Sequence, residues 1–451
     1  MSKTTSQPDL ATWLADKQID DVEAFLPDIA GIPRGKIIPA ARFPEMVAGD
    51  GLRINEQMLV QMVNGAFVEE DSVTDELGKD LRLVPDLSTL RVVPWMENPT
   101  AQVICDAHRG DEIAPEASRT CLKHVLDLYE SEGLKPVIAP ELEFYLVENN
   151  DDPDTRLKPA VGRSGRRDSG RQSMSIAAAN EFDPVVNLIY DWAEMQGLEI
   201  DTASHEAGPG QLEINFDHGD PLALADQVLM FKRTVKEAAT AHGMTATFMA
   251  KPMEGKPGSS MHIHQSIEDQ AGKNLFSASN GDDTPLFHSF IAGLQRYAPA
   301  TMPLFCPNVN SYRRLTKWSD APINIHWGYD NRTVSLRVPL SSPKGRRVEN
   351  RIPGSDANPY LAIAATLACG LLGIREHLEP KAPQDKAAYD LAHTLPKSMY
   401  DALTRMRRTS ELKDVLGETL FEAVLMVKEA EMDDYQAVIS PWERANLLLN
   451  V

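Results

Sequence analysis

Four separated stretches of this chain carry side chains suited to holding divalent cations and a phosphate. Glu141-Leu142-Glu143 sets two carboxylates two residues apart, and the run His205-Glu206-Ala207-Gly208-Pro209-Gly210-Gln211-Leu212-Glu213 adds two more. Met261-His262-Ile263-His264 supplies two imidazoles, and Lys344-Gly345-Arg346-Arg347-Val348-Glu349-Asn350-Arg351 sets one carboxylate among four cations. Carboxylates and imidazoles bind Mg²⁺ or Mn²⁺. Planar guanidinium groups bind phosphate and carboxylate in a fork. Together these are the parts that ATP-consuming chemistry on an acid requires.

A two-residue period places these groups on strand faces. Glu141 and Glu143 share one face, with Leu142 and Phe144 on the other. Two adjacent carboxylates repel unless a cation or water screens them, so a metal wall and a solvated strand face both stay open. After the Gly208-Pro209-Gly210 bend, Gln211, Glu213 and Asn215 alternate with Leu212, Ile214 and Phe216, the pattern of a half-buried strand. His262 and His264 share a face opposite Met261 and Ile263, and Gly258-Ser259-Ser260 before them allows close backbone approach to a ligand.

Arg313, Arg314, Arg332, Arg337, Arg346, Arg347 and Arg351 crowd one region. In Val334-Ser335-Leu336-Arg337-Val338 the arginine alternates with apolar residues, so some of these cations point inward, where an anion must meet them. Residues 156–171, rich in Gly, Ser and Arg, lack a phosphate-loop pattern and read as a mobile surface loop.

The elements that must carry these groups fall into two regions. Residues up to Asp9, short and polar, read as disordered, and the disordered N-terminus is set at 1–15. From 16 to 110 the signals are short strands and turns, with Gly35–Pro39 and Leu90–Pro94 as strands stopped by proline. From 111 to 451 helices alternate with strands. Pro115 is expected to open a helix ending near Gly133, and Val137–Val147 to form a strand. Asp183-Pro184, Asp220-Pro221 and Asn358-Pro359 each read as a helix start, the first two with closing glycines at Gly197 and Gly243. The fold class is α+β: a small β-rich N-terminal domain and a large α/β domain.

The chain has 451 residues, 42% hydrophobic and 25% charged, with a formal charge of −21. That length suits two domains. The charge argues against nucleic acid or an anionic membrane as partner and suits a cationic substrate. Four cysteines, without CxxC spacing, fit reduced thiols in a cytoplasmic protein. The longest apolar run, Tyr360–Ile374, is short and interrupted by glycine, so a buried helix is expected rather than a membrane span.

With these motifs in order, the chain resembles the glutamine synthetase superfamily from about Asp20 to its end. The family's glutamate-pair strand is matched by Glu141 and Glu143, its two-carboxylate segment by Glu206 and Glu213, and its histidine loop by Lys251–Ser266. Its substrate-arginine loop is similar to Asn310–Leu315, and its arginine and glutamate stretch resembles Arg346–Tyr360. The resemblance implies an N-terminal β-grasp domain packed on the neighbouring subunit's catalytic domain, in a double-ring homo-dodecamer with active sites at subunit interfaces. It implies one cation on Glu143, Glu206 and Glu213 and another on Glu141, His262 and Glu349. Glutamate would lie on Gly258, Arg314 and Arg351, and the transferring phosphate on Arg332, Arg337 and Arg347. His264, Ser266, Lys344 and Arg347 would face ATP. Glutamate's γ-carboxylate would become a γ-glutamyl phosphate, which an amine then attacks.

Departures from the pattern bear on the amine. Ammonia-using members carry Asp-Gly-Ser-Ser in the N-terminal domain, and here the stretch is Asn64-Gly65-Ala66-Phe67; an amide cannot take a proton as a carboxylate does. The flap glutamate appears as Asp320, and Pro257 stands where the bacterial ammonia enzymes usually have asparagine. The chain therefore looks most like the γ-glutamylpolyamine (glutamate–putrescine) synthetase branch, with Glu69, Glu70 and Asp71 as an acidic stretch beside the altered motif. A glutamine synthetase, or a ligase for another amine such as ethanolamine, is the alternative. The family's adenylylation-tyrosine region is altered around Tyr389.

Overall fold

A computed structural model describes residues 10–49, 51–69, 71–75, 77–169 and 171–451. The expected disorder up to Asp9, and Glu70 of the acidic stretch, lie outside the described residues. Two sheets with helices packed around them make a mixed α/β architecture.

The first sheet joins β1 (Asp21–Pro27), β2 (Pro33–Pro39), β3 (Arg53–Asn55), β4 (Asp80–Pro85), β5 (Arg91–Val93), β6 (Thr100–Arg109) and β7 (Glu112–Ile113). Its main path runs β2-β1-β6-β4-β3, with β5 and β7 also pairing β6. β1 and β6 are parallel, and their shared core is Val22, Ala24, Ala101 and Val103. The proline-stopped strands form as expected. Two short helices, α1 (Leu10–Asp16) and α2 (Phe43–Ala48), flank the sheet.

The second sheet joins β8 (Lys135–Glu148), β9 (Ile200–His205), β10 (Gln211–Phe216), β11 (Met244–Thr247), β12 (Met261–Glu268), β13 (Trp327–Tyr329), β14 (Leu336–Val338) and β15 (Val348–Asn350). Its order is β13-β14-β15-β12-β8-β10-β9, with β11 also on β8. Its helices are α3 (Ser118–Ser131), α4 (Ile176–Glu181), α5 (Asp183–Gln196), α6 (Pro221–Ala241), α7 (Pro285–Tyr297), α8 (Met302–Phe305), α9 (Pro359–Arg375), α10 (Met399–Arg407), α11 (Glu411–Leu416), α12 (Glu418–Gln436) and α13 (Pro441–Leu447).

The helix signals acted through their physics. Asp220 caps α6 by accepting from Ala223 N–H, and Asn358 caps α9 by accepting from Tyr360 and Leu361 N–H. Gly197 ends α5 in the left-handed region at φ 66°. The helix expected at Pro115 starts three residues later, at Ser118. Its N-cap is Ala117, which has no side-chain acceptor to hold an earlier turn. The apolar run after Asn358 is α9, buried from Pro359 to Gly373 because α3, α6, α7, α8 and α11 pack around it. Among the described residues no helix is long and apolar enough to cross a membrane.

The two sheets are tied through buried charge. Arg119 on α3 contacts Asp86 (2.7 Å) and Asp106 (2.8 Å) of the first sheet's side and Asp226 (2.8 Å) of α6. Tyr360 Oη donates to Asp226 at 2.6 Å, which brings α9 into the same cluster.

Candidate active site

Strand register assembles the chemistry. Glu213 on β10 lies opposite Glu143 on β8, and Glu141 lies opposite His262 on β12. His264 lies opposite Glu349 on β15, and Glu349 opposite Arg337 on β14. The alternating partners Leu142, Phe144, Leu212, Ile214, Met261 and Ile263 are buried on the other face. Residues as far apart in sequence as Glu141 and Glu349 thus share one polar face because alternate residues of these strands are apolar.

On that face Glu141 is the junction. His264 Nε2 is 2.8 Å and His262 Nδ1 3.2 Å from its two oxygens. Ligand atoms of Glu141, Glu213 and His262 fall within metal-sharing range of one another, and so do those of Glu141, His264 and Glu349. These sets cut across the groups expected from sequence. Glu143 is in neither; its Oε2 accepts from Ser260 N–H (2.9 Å) and Gln211 Nε2 (3.0 Å). Glu206 is half-buried beside Glu143 and is in neither set. His264, expected at the nucleotide, stands with the carboxylates and also accepts from Arg347 Nε at 3.2 Å.

The electrostatics are lopsided. Burial and the Glu206 charge push Glu143 up to about 8; burial and the charges of Glu141 and Glu143 push Glu213 up to about 9. Burial also raises Glu206. Burial raises Glu141 and Glu349 too, but there the hydrogen-bond and charge partners win. Hydrogen bonds from His262 and His264 hold Glu141 well below the usual range, and Arg351 with the histidines holds Glu349 at about 2. Buried carboxylates crowded together on one side are chemically suited to divalent cations. His262 Nε2, buried and without a hydrogen-bond partner, is a free ligand atom on the same face. The residues present fit a metal centre.

The arginines ring this face. Arg337 contacts Glu349 (2.8 Å) and Asp330 (2.7 Å), and Arg351 pairs with the other oxygen of Glu349. Arg314 is 1% exposed, donates to Ser260 Oγ at 3.2 Å and to the Ile352 carbonyl, and packs its stem against Gly258. Nε of Arg314, Arg337 and Arg351 are buried without partners, which leaves donors for an anion. Arg332 is exposed at the rim; its charge lowers Glu206. Arg313 is exposed and turned away, toward Tyr435 Oη at 2.9 Å.

Two cavities open on the face. One of about 440 Å³ is lined by Glu141, His264, Ser266, Asn274, Lys344 and Arg347. A small one lies among Glu143, Glu206, Gly258, Ser260, Arg314 and Asp320. Over it, Trp318 and Asp320 both take left-handed backbone conformations at φ 60°, unusual for side-chain-bearing residues. The Trp318 ring packs on Tyr389, whose hydroxyl is buried and donates to the Ala321 carbonyl at 3.0 Å. Tyr389 therefore braces the Asp320 segment.

Sequence reasoning missed Asp168, set in the Gly/Ser/Arg-rich loop. Its carboxylate is 7% exposed and meets His205 Nε2 (3.0 Å) and Gly210 N–H (2.9 Å), fixing the turn that carries Glu206. No spacing rule points to it. Ser355, which donates to the Glu143 and Ser260 carbonyls, was likewise unmarked.

Comparison with known proteins decides the family. Residues 115–447 match the model described as glutamine synthetase, catalytic domain. The chain belongs to the glutamine synthetase family. It is 35% identical to a glutamate–isopropylamine ligase of a Pseudomonas species, over 97% of this chain and 96% of that one. It is 34% identical to the γ-glutamylputrescine synthetase of Escherichia coli K12 (95% and 92%) and 32% to the glutamine synthetase of Methanococcus voltae (92% and 93%). The solved GmaS/ADP complex superposes with a TM-score of 0.82 at 29% identity, covering 98% of this chain and 99% of that one. As a member of this family the protein is an ATP-dependent glutamate–amine ligase, forming a C–N bond as ATP becomes ADP and phosphate, and enzymes of the family use divalent metal ions.

Proposed function

We propose that this ligase joins the γ-carboxylate of L-glutamate to a polyamine such as putrescine, in polyamine catabolism. The observation that carries this reading is the state of Asn64. Its amide oxygen accepts from Ala66 N–H (2.9 Å) and its amide nitrogen donates to Asp434 (3.2 Å), so the side chain is committed to its own turn and cannot deprotonate ammonium. The carboxylate left near the entrance is Asp320, which pairs with Arg171 at 3.1 Å; both side chains are about two-thirds exposed, so the pair is screened by water and a cationic amine can compete for the carboxylate.

The residues then divide the work. Arg314 and Arg351, with Gly258 leaving room for the Arg314 stem, grip the carboxylates of glutamate. His264, Ser266, Lys344 and Arg347 receive ATP in the larger cavity. Glu143, Glu206 and Glu213 would hold one cation, Mg²⁺ or Mn²⁺, and Glu141, His262 and Glu349 the other, although the ligand atoms that already lie together are those of Glu141 with Glu213 and His262, and of Glu141 with His264 and Glu349. Bound divalent cations supply charge neutralisation at the phosphoryl oxygens. A γ-carboxylate oxygen bonds to the γ-phosphorus as the bond to the ADP oxygen breaks, and Arg332, Arg337 and Arg347 balance the charge on the moving group. The amine gives a proton to Asp320, its nitrogen attacks the γ-carbonyl carbon, and phosphate leaves.

The same reading takes residues 16–110 as a β-grasp domain and 111–451 as the catalytic domain, the boundary falling in the turn between β6 and β7. It places the protein in the cytoplasm as a double-ring homo-dodecamer. The exposed C-terminal apolar residues Trp442, Leu448, Leu449 and Val451 support self-association. Glu69 and Asp71 are available near the turn for a cationic tail, although Asp71 already accepts from Val73 and Thr74 N–H. A monoalkylamine is the second reading, favoured by the 35% identity to the isopropylamine ligase.

The test is product mass and phosphate release with Mg²⁺-ATP and glutamate, comparing putrescine, spermidine, ethanolamine, isopropylamine and ammonium. Strong turnover with a diamine and almost none with ammonium is expected, and Asn64→Asp with Ala66→Ser should raise ammonium use. Preference for isopropylamine would overturn the polyamine assignment, and strong ammonium turnover would overturn the argument from Asn64.

A further inference from the structure

We infer that Glu431, on α12 near the C-terminus, is the positioning residue of the amine-selecting turn 62–66. The inference rests on the proposal that this turn serves an amine site.

The turn is closed within its own segment, where Met62 N–H donates to the Ala66 carbonyl at 3.0 Å and the buried Gln61 Nε2 to the Gly65 carbonyl at 3.0 Å. Gly65 N–H closes it on Met62 C=O at 2.8 Å, Gly65 sits at φ 86°, and Val63 and Phe67 are about half exposed. Met62 anchors the start of the turn in the core, and beyond it the turn overlies a cavity of about 370 Å³ bounded by Asn64, Asn310, Arg313 and α12, where little apolar packing supports it. Its attachments are polar and they converge on one helix face. Val63 N–H donates to Glu431 Oε1 at 2.7 Å, and Asn64 Nδ2 donates to Asp434 Oδ2 at 3.2 Å. Farther along the segment, Ser72 N–H lies 3.4 Å from Met426 Sδ, a third point on α12.

Glu431 is itself rigid. Its other oxygen pairs with Lys428 Nζ at 2.8 Å, three residues back on the helix, with side chains 10% and 3% exposed. A nearly buried ion pair cannot swing to water without stranding its partner. One carboxylate thus locks a helix lysine on one side and a backbone N–H on the other by charge-assisted bonds. Asp434, one helical turn on, fixes the rotamer of Asn64. Helix α12 so sets both the height of the turn and the direction of the side chain that distinguishes this chain from ammonia users.

Steady-state kinetics of the intact enzyme test this, varying the preferred amine, glutamate and ATP in turn. Glu431→Ala should raise the amine KM about tenfold while glutamate and ATP KM stay within twofold, and Glu431→Gln, which keeps an acceptor oxygen for Val63, should restore it to within about threefold. Because Glu431→Ala strands Lys428, Val63→Pro provides a second route. It removes the N–H donor at the second position of the turn, where proline is accommodated, and leaves α12 intact. An amine KM within twofold of the parent in folded Val63→Pro overturns the inference. The Asn64→Asp, Ala66→Ser protein judges the underlying reading separately: altered amine use there, with no effect of Val63→Pro, sinks only the role of Glu431.

Discussion

Gly258→Ala tests the glutamate side of the site. A Cβ at this position would stand 2.4 Å from Arg314 Cγ, 2.8 Å from Cδ and 2.5 Å from the Ala250 carbonyl oxygen, whereas ordinary contact begins at 3.4 Å. The Arg314 stem must therefore retreat by about 1 Å, the overlap that overpacking imposes on a full site. It has no open route, since Arg314 is fully enclosed and tied to Ser260 Oγ and the Ile352 carbonyl. A misplacement of about 1 Å in a substrate-positioning group costs roughly 10²-fold in rate, or about 2.7 kcal/mol of transition-state stabilisation. Initial rates over a range of glutamate, at saturating ATP and amine, should show kcat/KM for glutamate down about a hundredfold and the ATP KM unmoved. Overpacking against Ala250 should also lower stability by about 1–3 kcal/mol, visible as a lower Tm. A folded variant whose kcat/KM for glutamate stays within threefold of the parent would refute the role given to Arg314.

Two further outcomes concern the scaffold. Arg119→Met should destabilise by about 3–5 kcal/mol in urea titrations, because it strands Asp226 in a dry site with Asp86 and Asp106 nearby. Burial already raises Asp226 despite Arg119, and losing the cation raises it further; a raised carboxylate costs stability while ionised and is relieved as pH falls through its folded pKa. The deficit should accordingly be larger at pH 8 than at pH 5, and a deficit independent of pH would contradict the cluster's electrostatics. Cys105, Cys121, Cys306 and Cys369 are buried, with burial pushing Cys306 and Cys369 up to about 12 and the other two higher still. A thiol reagent should label none of the four in the native enzyme and all four in denaturant, and stoichiometric native labelling would show a thiol the fold leaves open.

What could be read from the chain was whatever a period of two determines. Glu141 with Glu143, Gln211 with Glu213, and His262 with His264 share faces because their neighbours are apolar, and that logic is local. Which carboxylate meets which imidazole is not local. His264 stands with Glu141 and Glu349 because β12 pairs both β8 and β15, a register set by contacts across the whole sheet. The Pro115 signal placed its helix three residues early because proline marks a permissible start, while the cap residue decides where hydrogen bonding begins. Asp168 was hidden because a loop carboxylate becomes structural only through partners distant in sequence, here His205 and Gly210. The Glu431–Val63 bond spans 368 positions and its acceptor looks like any helix-surface glutamate in the sequence.

The lopsided charge of the site explains why metal and phosphate belong together here. On one side Glu143, Glu206 and Glu213 are buried and crowded with like charge, which raises all three although Arg314 and Arg351 act on Glu143 and Arg332 on Glu206. On the other side Glu349 is flanked by Arg337 and Arg351, whose buried Nε donors have no acceptor. A cation alone would settle the first side and leave the second facing more positive charge. An anion alone would satisfy the arginines and deepen the repulsion among the glutamates. Both faces are neutralised when divalent cations and a polyphosphate arrive as one unit, since each then screens the charge that opposes the other. On this argument the polar face that assembles from residues of five strands would favour a metal–nucleotide complex over either partner alone.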